Sequence, residues 1–233
     1  MYILSKFFLI SIFIFNCLCL QGQTQKTDSL SKKIQRDTIK NGFPMPTHMR
    51  IGIDLIGIGQ LAFAEKNAIH ITSDVSFNNK HLWALEYTLA SNQTSQKATY
   101  TSQASIIRFG WMYNFLGKQS QEDVFAMGLR LGNAWYSEKI VAEVQSATFG
   151  TLPVELSNKL SATWIEVNME LKARIWKRWL TGYTARYQFK SKARGDEAFT
   201  SYSIPSVGRL GRNNWGFQYC VWYLIDFKKK KKS

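Results

Sequence analysis

Eight ionisable residues carry the chemistry that this chain could do: Asp54, His70, Glu86, Arg108, Arg130, Glu166, Glu170 and Arg186. Each falls on the polar side of a segment that alternates polar and apolar residues, so a period of two puts them on one face of extended chain. Counted from the same end of each segment they reach similar heights, and a sheet closed on itself would gather them inside. Three arginines among carboxylates in a low-dielectric interior must pair, because an isolated buried charge is very costly. Such a cluster can relay protons or ions, or it can be a neutralised plug that fills the interior. The plug is the better expectation, since a ring of eight strands has room for side chains and not for an open channel. Arg50 and Asp226, near the paired ends of the first and last strands, are expected to touch where the ring closes.

Nucleophilic or metal chemistry finds little support. The histidines are His48, His70 and His81. His48 and His81 fall at the strand ends opposite the long loops, and His70 is placed mid-strand. A lipid-modifying enzyme would need its Ser or His at the outer rim. His70, Thr72 and Asp74 share a face, but a trio at strand spacing points one way and makes a poor triad. There is no Gly-x-Ser-x-Gly elbow and no paired Cys or His spacing for a metal. No catalytic, cofactor-binding or metal residue is therefore assigned, and no cofactor is expected.

The elements that position these residues are eight period-two stretches: Met49–Gly59, Ala68–Phe77, Leu82–Ser91, Ser105–Phe115, Val124–Trp135, Thr163–Ile175, Trp179–Lys190 and Asn214–Phe227. The last reads NWGFQYCVWYLIDF, with Trp215, Phe217, Tyr219, Tyr223 and Phe227 on one face. Trp83, Tyr87, Phe109, Trp111, Tyr113, Tyr183 and Tyr187 extend that aromatic set on the other strands. These twelve are expected to face lipid. Gly52, Gly110, Gly128, Gly132, Gly182 and Gly216 all lie on the opposite, polar face, where a narrow interior leaves little space. A soluble lipocalin-like ring would point its apolar face inward and give those glycines no purpose. The pattern predicts an all-β fold, an eight-stranded antiparallel transmembrane β-barrel. Asn78–His81, Leu116–Asp123 and Lys177–Arg178 are short connections. Asn92–Ala104, Tyr136–Ala162 and Ser191–Asn213 are long, whereas Gln60–Asn67 is short. Long loops outside and short turns in the periplasm put both termini in the periplasm.

The 233 residues carry a net charge of +14. Met1–Gly22 has one early cation, Lys6, then the apolar run Phe7–Phe15, the form of a cleaved secretory signal. Its removal takes Cys17 and Cys19 with it and leaves Cys220 alone, so the fold needs no disulfide. Residues 23–47 read as a flexible periplasmic leader, residues 48–227 as the barrel, and residues 228–233 as a lysine-rich tail. The basic leader and tail are read as solvated or lipid-proximal segments rather than nucleic-acid binders. No second apolar run is long enough for a membrane helix, and an integral exported protein without one must be a closed barrel.

The segments PTHMRIGIDLIG (Pro46–Gly57), IEVNMELKARIWKRWLTGYTARYQF (Ile165–Phe189) and WGFQYCVWYLIDF (Trp215–Phe227) resemble an uncharacterised Bacteroidota family. The resemblance implies an outer-membrane β-barrel in a Gram-negative cell and brings no site residues. Its lysine tail departs from the family's usual ending close to the last aromatic. The expected function is a structural or accessory role beside outer-membrane lipids and another outer-membrane or periplasmic protein, without nucleic acid. A lipid-modifying enzyme or a narrow conduit for small solutes is the alternative.

Overall fold

The computed structural model describes residues 45–63, 66–95, 98–118, 123–146, 150–190, 193–196, 198–201 and 203–227. The signal segment, nearly all of the leader and the lysine tail lie outside the described residues. The chain runs β1 (Pro46–Asp54), α1 (Leu55–Phe63), β2 (Lys66–Phe77), β3 (His81–Ser95), β4 (Ala98–Asn114), β5 (Val124–Ser146) and β6 (Gly150–Trp176). It continues through β7 (Trp179–Lys190), β8 (Arg194–Asp196), β9 (Ser203–Ile204), β10 (Gly208–Arg209) and β11 (Asn214–Asp226). β1 to β7 and β11 pair antiparallel with their neighbours, β11 pairs with β1, and β5 pairs with β6. The sheet therefore closes into a ring of eight strands.

Polarity follows the strand pleat. Inward positions are buried and many are charged. Outward positions are apolar and exposed, among them Leu85, Phe109, Leu129, Leu131, Ile165 and Phe217. The inward glycines make room for the large inward residues directly opposite them. Gly52 faces Trp222 across the β1–β11 seam, and a Cβ at Gly52 would stand 2.5 Å from the indole. Gly132 faces Trp164 across β5–β6, where an added Cβ would lie 2.3 Å from its ring.

Three expectations need correction. The stretch Met49–Gly59 is not one strand: β1 stops at Asp54 and α1 begins. The Asp54 carboxylate accepts the backbone N–H of Ile56 at 3.0 Å, a helix N-cap that the alternating LIGIG run conceals. Gly57 then comes so close to β2 that a Cβ would meet the Ala68 carbonyl at 2.5 Å. Second, Asn92–Ala104 and Tyr136–Ala162 are mostly strand. Pairing runs to Ser95↔Thr99 in one hairpin and to Ser146↔Gly150 in the other. Third, Ser191–Asn213 contains β8, which pairs with β6, and the small β9–β10 hairpin.

Candidate functional site

The interior of the ring is stacked in layers. At the end with the short turns, Leu82, Ala84, Met112, Val124 and Ala126 form one apolar cluster, and Leu180, Cys220, Trp222 and Leu224 form another. At the opposite end Ala104, Ile106, Ala134, Tyr136, Leu160, Ala162 and Trp164 pack around Ile204 and Val207, delivered by β9–β10 and its turn. Charged residues fill the middle.

All eight residues of the sequence-derived cluster meet in that middle layer. Glu86 is its hub: it takes N–H donors from Arg108 at 2.9 Å, from Arg130 at 3.4 Å and from both terminal nitrogens of Arg186 at 3.0 Å. Arg108 also donates to Glu166 at 3.0 Å, and Arg130 to Glu170. His70 stands 3.4 Å from Glu86 and 3.8 Å from Asp54. Every one of these groups is buried, so their mutual charge and hydrogen bonds replace the hydration they have lost.

Several partners were not assigned from the sequence. Asp74 accepts from Arg50 at 2.7 Å and from Lys172 at 2.6 Å, and Lys172 also pairs with Glu170 at 2.7 Å. The Lys172 ammonium sits 3.6 Å from the centre of the Trp222 ring. Trp164 donates its indole N–H to Glu166 at 2.6 Å, and Gln188 donates to the same carboxylate at 3.0 Å. The Arg50–Asp226 contact does not form. Arg50 faces Leu224 in the register, turns inward and takes Asp74, while Asp226 bonds His48 at 2.6 Å. The seam closes as expected, but a long inward arginine finds a buried carboxylate sooner than one at the rim.

Among the described residues, a constellation that resembles reactive chemistry joins Ser206, His70 and Glu86. Ser206 adopts a left-handed φ of 63° in the β9–β10 turn, and its Oγ lies 3.3 Å from His70 Nε2. It borders a cavity of about 510 Å³ roofed by α1 and β9–β10 and floored by Arg108, Arg186 and Gln218. Nδ1 of the His70 imidazole faces three groups: the Glu86 carboxylate at 3.4 Å, the Thr88 hydroxyl at 2.9 Å and the Gln218 amide at 2.9 Å. Arg186 donates to the Gln218 carbonyl oxygen, which turns the Gln218 amide N–H toward Nδ1. With the ring proton on Nδ1, shared with Glu86, the Nε2 lone pair faces Ser206; with the proton on Nε2 and Gln218 donating to Nδ1, it does not. Ser206 was invisible in the sequence because only the β9–β10 turn brings it over His70.

The twelve aromatics noted above all project outward. Their rings stack across neighbouring strands, as in Trp83–Phe109 at 5.4 Å and Tyr183–Tyr219 at 4.7 Å. Beyond the ring β5 and β6 continue furthest as a projection, with β4 and the last residues of β3 paired alongside at its base. At its base Tyr100 donates to Glu138 at 2.7 Å, and burial together with that carboxylate raises the phenol well above its ordinary pKa. Asn158 bonds Glu138 and the backbone of Ala198 and Phe199 there. No residue group among those described could hold a metal ion.

No curated protein matches the sequence. Among solved structures, the crystal structure of Acinetobacter baumannii CarO2 aligns with a TM-score of 0.42 and 12% identity, over 80% of this chain and 100% of that one. A family model described as a domain of unknown function, DUF6048, matches residues 3–230, and the chain belongs to that family.

Proposed function

We propose that the ring is a small transmembrane β-barrel of the outer membrane that serves as a structural or accessory subunit of a larger outer-membrane assembly, working through its projection rather than its interior. The observation that carries this is an inversion of polarity along β5 and β6. Within the ring the inward positions are charged and the outward ones apolar, the arrangement suited to lipid outside. The outward positions of β5 from Phe125 to Trp135 reach about 26 Å along the barrel axis at ordinary strand rise and tilt, the height of a bilayer's apolar band.

Past Glu138 and Asn158 the order reverses. The face continuous with the interior becomes Ile140, Ala142, Leu152, Val154 and Leu156, while the other face carries Lys139, Glu143, Glu155 and Ser157 around Val141. Leu152, Val154 and Leu156 are exposed. An apolar face on strands that have left the lipid suits burial against another protein. The interior, filled by paired charges between apolar layers, favours a sealed barrel over a conduit.

The test is isolation of the protein, tagged at its periplasmic end, from native outer membranes in mild detergent. One stoichiometric protein partner that withstands salt supports the reading, and a clean monomer overturns it.

A lipid-modifying hydrolase is the second reading, favoured by Ser206 over His70 beside a cavity. It requires the His70 tautomer that carries its proton on Nδ1, facing Glu86. Ser206→Ala would then abolish a change in lipid A or phospholipid mass that gene deletion also removes.

A further inference from the structure

The β6–β7 turn has a composition that the sealed interior and the projection leave unexplained. It reads Arg174-Ile-Trp-Lys-Arg-Trp179, two tryptophans flanking a Lys-Arg pair. A register shift between Arg174 and Trp176 breaks the alternation. By pleat alone Trp176 would point inward with Lys172, and the bulge re-aims it to the outside. Ile175 and Trp176 are each 61% exposed and Trp179 is 41% exposed. Lys177 takes a left-handed φ of 46° at the tip, and its ammonium lies 4.4 Å from the Trp176 ring centre. The turn is held rigidly: Leu224 of β11 donates its N–H to the Arg178 carbonyl at 2.8 Å, and Trp179 packs edge-on against Tyr223 at 5.3 Å.

We infer that this turn is a binding site for an anionic phospholipid head group, of the phosphatidylglycerol type, in the leaflet at the short-turn end of the barrel. The inference rests on the transmembrane reading. Lys177 and Arg178 supply a point charge and a planar guanidinium side by side, a pairing suited to a phosphodiester. Trp176, Trp179 and Ile175 supply an amphipathic base at the depth of the glycerol and carbonyl groups. Lys177 and Arg178 form no ion pair among the described residues, and neither do Lys80 and Lys118 on the neighbouring turns of the same end. At the opposite end Lys139 pairs with Glu155 at 2.8 Å. The choice of the phospholipid leaflet over lipid A follows from the transmembrane reading, in which the short turns face the periplasm.

The test uses the full chain, lysine tail retained, inserted into vesicles of equal phosphatidylglycerol and phosphatidylethanolamine, then extracted for native mass spectrometry of the bound lipid. The wild type retains phosphatidylglycerol over phosphatidylethanolamine by about tenfold, since cations held at a membrane surface favour anionic lipid. Lys177→Gln with Arg178→Gln lowers that ratio several-fold, leaving the part that the lysine tail contributes, and Lys177→Arg with Arg178→Lys keeps it. Lys139→Gln with Lys159→Gln, at the far end, leaves it unchanged. Heat-modifiable migration on gels verifies that each variant is folded. Equal retention of both lipids by the wild type, undiminished selectivity in the double glutamine variant, or displacement of phosphatidylglycerol by added lipid A overturns the site. A chain that never inserts overturns the transmembrane reading itself, so the two failures are distinct.

Discussion

Within β5 and β6 one face of the sheet has two characters. Between Ala126 and Glu138 on β5, and between Asn158 and Lys172 on β6, that face presents Arg130, Glu166 and Glu170, all buried and paired. A few residues further along the same two strands it presents Ile140, Leu152, Val154 and Leu156. The backbone pairing is continuous throughout, so secondary structure does not distinguish the two regions. What changes is the medium. Charges collect in the buried middle of the ring, and apolar groups collect where the strands stand clear of it. The first region is satisfied by its own partners. The second is not, and for that reason the proposed reading places the work of the molecule in the projection.

The comparison breaks most severely at Glu86. Glu86→Leu leaves Arg108, Arg130 and Arg186 without their shared acceptor, and loss of one partner in a buried ion network costs about 3–5 kcal/mol or more. The variant is expected to lose heat-modifiable migration in a gel-shift folding assay. A folded Glu86→Leu variant of undiminished stability would show that the middle layer is far wetter than the geometry implies.

Space comes next. Gly52→Val drives side-chain carbons into the Trp222 indole and is expected to destabilise by about 1–3 kcal/mol. Adding Trp222→Ala to Gly52→Val should recover part of the loss in urea titrations, a coupling that unrelated sites would not show.

A smaller contrast separates the two partners of the seam. Arg50→Met strands the buried Asp74 with only Lys172, whereas His48→Ala loses a bond to an Asp226 side chain that is 37% exposed. The same titration should therefore rank Arg50→Met well above His48→Ala. In the projection, Val154→Glu with Leu156→Glu is expected to change stability by less than about 0.5 kcal/mol, as exposed positions usually do. Co-purification of a partner should nevertheless fall.

Much of this architecture can be read in the chain. The period-two stretches mark the eight strands, the Asn78-Asn79-Lys80 turn follows from two residues that tolerate left-handed backbone (φ 52° and 58°), and the inward charges fall in register from their spacing alone. Other features depend on information that periodicity does not hold. Leu55–Phe63 continues the alternation of β1, and only the Asp54 cap and the crowding of Gly57 against β2 make it helical. The extended β5–β6 hairpin reads as a loop because its polarity inverts beyond Glu138, so a template fitted to the ring fails there. Period two places Trp164 and Trp222 inward beside Glu166 and Cys220, but only the strand register shows that Gly132 and Gly52 stand opposite to make room for them. Arg50 has two carboxylates within plausible reach, and its choice of Asp74 is a matter of burial. Ser206 reaches His70 through a tertiary fold that joins residues 136 positions apart.

The most direct measurement is site-specific photocrosslinking in living cells, with a photoreactive residue placed in turn at Leu156 of the projection and at Leu129 of the apolar band. The account predicts a discrete protein adduct from Leu156 and only lipid or no adduct from Leu129. A protein adduct at Leu129 with none at Leu156 would contradict it and move the working surface to the outer wall of the barrel.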